Sequence, residues 1–183
     1  MSTSFPGFPD PAASTEVPLE MLASCHLRIQ KMCATLGRLA AYLPAHGSDD
    51  QARQAAARIK RYFDTAAPLH HADEEADLFP ALLESMAGSD AVCIREMIEH
   101  LTSQHRILEA AWARLRDPLE LIAAGQSATL PPDGVALFTE TYEQHLNYEE
   151  DELLPMAARL LAQADLTRIG LAMRARRGLE AAD

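Results

Sequence analysis

Two eleven-residue segments of this chain nearly copy each other, and no other feature constrains the fold as much. One is His70-His71-Ala72-Asp73-Glu74-Glu75-Ala76-Asp77-Leu78-Phe79-Pro80; the other is His145-Leu146-Asn147-Tyr148-Glu149-Glu150-Asp151-Glu152-Leu153-Leu154-Pro155. Both read H-x-x-x-E-E-x-x-L-[FL]-P. Each follows a helical segment with a histidine on its apolar face: His26 lies 44 residues before His70, and His105 lies 40 residues before His145. The chain therefore reads as a duplicated helical hairpin, with one histidine on the first helix and His plus Glu on the second.

The periodicity around the repeat is helical. A first helix is predicted over residues 19–43, with Leu22, His26, Ile29, Cys33, Leu36, Leu39 and Leu43 on one face, ended by Pro44 and Gly47. A second begins at Asp49 or Asp50, both good caps, and reaches residue 79 with a kink at Pro68. A short extension over 81–87 ends at Gly88. The third starts after Ser89 or Asp90, bends at Pro118 and ends at Gly125. Its apolar face carries Ile94, Met97, Leu101, His105, Leu108, Trp112 and Leu115. The fourth covers 134–162 and a last short helix covers 166–177, where Arg174, Arg176 and Arg177 complement the C-terminal dipole. Neither a strand pattern nor a glycine-rich phosphate loop is found. Amphipathic helices joined by short connections imply an all-α, antiparallel four-helix bundle with a short C-terminal helix.

Composition narrows the function. The 183 residues suffice for one domain with a real core. Residues 1–18, with Pro6, Pro9, Pro11 and Pro18, read as a flexible leader before a domain over 19–183, and lack the basic start and apolar run of a secretory signal. The net charge of −11 opposes a nucleic-acid surface or docking on anionic lipid. No apolar run approaches a membrane span. Three cysteines without a C-x-x-C pair speak against a disulfide framework and fit a reducing cytoplasm.

The repeat carries the chemistry. Residues i and i+4 lie about 40° apart around a helix, so His70 shares a face with Glu74, and His145 with Glu149. A carboxylate one turn from an imidazole can reach the same metal or bridge two. The expected partition sets His26 and His70 on one ion and His105 and His145 on the other, with Glu74 and Glu149 bridging both. Four imidazoles and two carboxylates suit two first-row metals, iron above all, although manganese and zinc accept the same donors. Open positions then remain for water, an oxo or hydroxo bridge, or a diatomic ligand. His71, about 100° from His70, is expected behind the ligands or at the surface. His100 is expected on another face from His105. His46 is expected in a loop, with the alternative that it folds back over the open end of the site. Cys25 and Cys33 read as small core residues, and the acidic run from Glu149 to Glu152 as a solvated face apart from Glu149. Tyr142, one turn from His145, is read as a core tyrosine that could also orient His145 or gate access.

These residues resemble the hemerythrin-like HHE cation-binding family, whose fold is a four-helix bundle around a non-haem di-iron centre. The resemblance runs from about residue 19 to the last helix, and the family's ligands fall on His26, His70, Glu74, His105, His145 and Glu149. Oxygen carriers of the family have H-x-x-x-H on the third helix; here His100 and His105 are five apart. The carriers also have H-x-x-x-x-D on the fourth, where Glu150 stands at that spacing. The chain is more similar to the four-His, two-Glu branch, which includes proteins of iron-centre repair and of iron sensing. Ferritin-like proteins use E-x-x-H, a spacing this sequence lacks.

The leading expectation is a cytoplasmic di-iron protein that binds or senses O2, NO or iron, rather than an enzyme. A second is a di-iron oxidase, peroxidase or nitric-oxide reductase working with a redox partner. A third is a metal-free helical interaction module.

Overall fold

The computed structural model describes residues 17–85 and 91–179. Helix α1 runs Pro18–His46 and α2 runs Asp50–Asp73; a π-helical turn, Glu74–Leu78, leads into α3, Phe79–Ser85. Helix α4 spans Ala91–Ala123 and α5 spans Pro132–Tyr148; a second π turn, Glu149–Leu153, leads into α6, Leu154–Leu160, and then α7, Gln163–Arg176. No strand occurs among the described residues. Helices α1 and α4 each pack against both α2 and α5, which closes a four-helix bundle of two antiparallel hairpins.

The ends of these helices have local causes. The Asp49 carboxylate accepts the Ala52 N–H at 2.9 Å, and Gly47 ends α1 with φ +63°, a backbone state that suits glycine. Pro44, expected to end α1 together with Gly47, lies inside it, and α2 and α4 run on through Pro68 and Pro118. Pro44 and Pro68 are exposed, so a carbonyl that loses its donor there can turn to water. The leader expected over residues 1–18 lies outside the described residues except Val17 and Pro18, and Pro18 already opens α1. The expected stop at Gly88 and caps at Ser89 and Asp90 also lie outside them.

Two apolar layers fill the bundle. One gathers Ile29, Leu36, Ile59, Phe63, Leu115 and Phe138 among others; the second gathers Leu22, Leu78, Leu82, Leu101, Leu153 and Met173. His26 lies along α1 between Leu22 of one layer and Ile29 of the other, and His105 lies between Leu101 and Leu108 in the same way. The histidines therefore form a polar layer sandwiched between two apolar ones.

Candidate metal centre

All six residues singled out by the repeat meet in that layer. His26, His70, His105 and His145 are fully buried, and Glu74 and Glu149 are buried with them. Each carboxylate turns its two oxygens to different imidazoles. Glu74 Oε1 lies 3.2 Å from His70 Nε2, and its Oε2 lies 3.3 Å from His105 Nε2. Glu149 Oε2 lies 3.2 Å from His26 Nε2, and its Oε1 lies 3.3 Å from His145 Nε2. Two groups of potential donors follow: His26, His70, Glu74 and Glu149; and His105, His145, Glu74 and Glu149. Both carboxylates belong to both groups.

The atoms that converge are short of partners. His26 Nε2, both ring nitrogens of His70, Glu74 Oε2 and both Glu149 oxygens are buried without a hydrogen bond. Each such orphan costs roughly 1–3 kcal/mol in a folded protein. Burial, then the neighbouring imidazoles, holds His70 and His145 well below the ordinary imidazole pKa, so their lone pairs are free. Burial, then the facing Glu149 carboxylate, pushes Glu74 well above the ordinary carboxylate range. For His26 burial acts downward, but Glu149, Glu74 and Glu150 outweigh it and raise its pKa. A cation between the two carboxylates would relieve all of these costs together, so the donor set fits a metal.

The far sides of three imidazoles are held. His26 Nδ1 meets Glu150 Oε1 at 3.1 Å, His105 Nδ1 meets Glu75 Oε1 at 2.7 Å, and His145 Nδ1 meets Gln104 Oε1 at 3.0 Å. The second glutamate of each E-E pair thus supports the upstream histidine of the other hairpin. Arg106 anchors Glu75 from outside. Such carboxylate–imidazole contacts fix ring orientation and raise donor strength. Reading the acidic run as a solvated face missed this role for Glu150.

Both π turns begin at a glutamate common to the two donor groups. The Phe79 N–H bonds the Glu74 carbonyl, and the Leu154 N–H bonds the Glu149 carbonyl, five residues back in each case. Pro80 and Pro155 come next. In a continuing α-helix each ring would press on the carbonyl four residues earlier, and the wider turn relieves that clash. The prolines of the repeat were the signal in the sequence for this widening.

Of the two places expected for it, His71 takes the one behind the converging donors rather than the surface. It is 8% exposed, stacks on His105 with centroids 4.0 Å apart, and forms a donor group with His105 and His145. Its Nε2 lies 3.4 Å from the Tyr142 hydroxyl. Tyr142 is therefore a core residue that meets His71. A cavity of about 260 Å³ beside the centre is lined by Phe63, Pro68, Trp112, Phe138, His71 and Tyr142, among others.

The other candidates lie apart. His100 is exposed with its ring near Tyr148, and Cys25 and Cys33 are buried core residues. His46 is no loop residue: it is the last residue of α1, exposed and stacked on Tyr42. Twenty residues of helix, about 30 Å, separate it from His26, which rules out folding over the site. Arg176 and Arg177 do more than complement a dipole. Both pair with the fully buried Asp73, Arg176 also reaches Asp77 at 2.6 Å, and together they clamp α7 beside the first repeat.

Comparison with known proteins agrees with this geometry. The chain is 34% identical over 169 residues to a Haemophilus influenzae protein named only "Uncharacterized protein", covering 92% of this chain and 95% of that one. Residues 17–157 match the hemerythrin HHE cation binding domain. That span takes in both hairpins and all six buried donors, and the chain belongs to the hemerythrin HHE cation-binding family.

Proposed function

We propose that the chain holds two iron ions in this layer and uses them to bind or sense O2 or NO. The observation that carries this reading is the sharing of carboxylates: Glu74 and Glu149 each aim one oxygen at each imidazole pair. His26 and His70 would hold one ion and His105 and His145 the other, with both glutamates common to the two. An iron pair supplies reversible one-electron chemistry and coordination positions for a small ligand.

The protein's own part is to orient and to exclude water. Glu150, Glu75 and Gln104 hold three rings with their Nε2 atoms inward. The two apolar layers keep bulk water away, and the aromatic-lined cavity beside His71 suits a small, weakly polar ligand. A metal-free interaction module would leave the converging donors unpaired in the interior, which argues against that alternative.

The test has two stages. Elemental analysis of purified protein is expected to give about two irons per chain, consistent with two donor groups that share their carboxylates. Iron-loaded protein, reduced without oxygen, is then expected to change its optical spectrum on adding O2 or NO. Iron uptake with no spectral response to either gas would sink the ligand-binding reading and leave a metal store or structural site.

A further inference from the structure

The cavity between α2, α4 and α5 is lined by none of the six converging donors. It runs from Arg106 and Glu109, whose side chains are each 54% exposed, to the buried rings of Phe63, Phe138 and Tyr142. Its volume of about 260 Å³ exceeds the roughly 150 Å³ of an apolar cavity that takes up benzene. Folded interiors keep few voids larger than a water molecule, and a diatomic gas would leave most of this one empty. The size points to an occupant of one aromatic ring.

The walls set its chemistry. With Trp112, the three buried rings offer aromatic faces. Nearly every polar group around the space is already engaged. The Trp112 indole N–H donates to Asp64 at 3.0 Å, Arg106 donates to Glu75 and Glu109, and Glu75 meets His105 at 2.7 Å. The exception is the Tyr142 hydroxyl. Its contact with His71 Nε2 is 3.4 Å, longer than the usual range of about 2.7–3.2 Å. A hydroxyl has one proton and two lone pairs, so Tyr142 keeps room to accept. The two carboxylates of Glu75 and Glu109 face one guanidinium, a balance that disfavours an anion.

We infer that this cavity is a binding site for a small neutral phenol, a single aromatic ring bearing one hydroxyl. The ring lies among the aromatic walls, and its O–H donates to the Tyr142 oxygen. The site needs no metal, so the inference goes beyond the iron reading and survives its failure.

Titration of the full-length protein with phenol, toluene and benzoate tests this, read by calorimetry and by the emission of Trp112, the single tryptophan of the sequence. Phenol is expected to bind saturably, one per chain, with a change in Trp112 emission. It should bind up to about tenfold more tightly than toluene, the worth of one hydrogen bond. Benzoate should bind most weakly. Ala67→Leu, which fills the cavity wall, is expected to weaken phenol and toluene alike. Tyr142→Phe is expected to erase the preference for phenol and leave toluene binding unchanged. Melting curves check that both variants fold, and Tyr142→Phe decides the matter should Ala67→Leu fail to. The inference is overturned by absence of saturable phenol binding, by equal affinities for phenol and toluene in the wild type, or by benzoate binding as tightly as phenol. A new visible absorption band on adding phenol to iron-loaded protein would place the hydroxyl on a metal and overturn it as well.

Discussion

His145 is held from behind by Gln104, whereas His70 Nδ1 has no hydrogen-bond partner. Gln104 immediately precedes His105; the residue that immediately precedes His26 is Cys25, a buried thiol that burial makes harder to ionise. The hairpins differ again at the third residue after the repeat's first histidine. In the first copy this is Asp73, fully buried and clamped by Arg176 and Arg177; in the second it is Tyr148, half-buried beside His100. Apart from His71, their inward donors are the same. Each hairpin contributes His, His and Glu, and each glutamate spans both imidazole pairs. The shared interior demands a matched donor set, while the outer supports answer to whatever each hairpin packs against.

The sharpest way to break the equivalence is to remove a shared donor. Glu74→Ala and Glu149→Ala should each lower metal content from two ions per chain to one or none, with similar losses measured by elemental analysis. Full occupancy in both variants would refute bridging. His70→Ala combined with His145→Ala should abolish uptake and any rise in melting temperature on metal loading.

The next effect falls on stability and separates the copies. Asp73→Ala leaves two arginines without their buried partner. It should cost roughly 3 kcal/mol in denaturant unfolding, the low end for a broken buried pair because both arginines keep some contact with water. Tyr148→Ala, at the same repeat position, should cost less. A larger loss there would mean the clamp on α7 contributes little.

Support of the imidazoles comes third. Glu75→Gln and Glu150→Gln should each weaken metal binding about 10- to 100-fold in competition titrations against a chelator. The loss should be larger for Glu75, which Arg106 anchors. Gln104→Ala should fall near the bottom of that range and Cys25→Ala should leave affinity unchanged. Equal losses at both positions would mean His70 and His145 are held alike after all.

The smallest effect lies in the apolar layer away from the repeat. Burial of Asp64 acts to raise its pKa, but Lys60, Arg116 and the Trp112 N–H outweigh it and hold the carboxyl below its ordinary 3.8. A depressed carboxylate contributes stability that is present above its unfolded value and lost as pH falls through its folded value. Asp64→Asn should therefore remove part of the acid sensitivity below about pH 4, by less than about 1 kcal/mol given solvent screening. Its counterpart in the second hairpin, Thr139, carries no charge, so Thr139→Ala should leave the pH profile unmoved.

The bundle and its inward donors were legible in the sequence because they depend on local geometry. A spacing of four places His70 over Glu74 and His145 over Glu149 on any α-helix. An apolar stripe broken by one histidine places His26 and His105 on the buried face of α1 and α4. The rest was not local. Which carboxylate stands behind which histidine depends on how the hairpins pack, and the pairs His26–Glu150 and His105–Glu75 join residues 124 and 30 positions apart. The stack of His71 on His105, the clamp from α7 and the orphaned nitrogen of His70 likewise exist only once the two apolar layers have closed. Helical periodicity determined what faces inward; tertiary packing decided what each inward group meets, because those contacts join segments that no spacing rule connects.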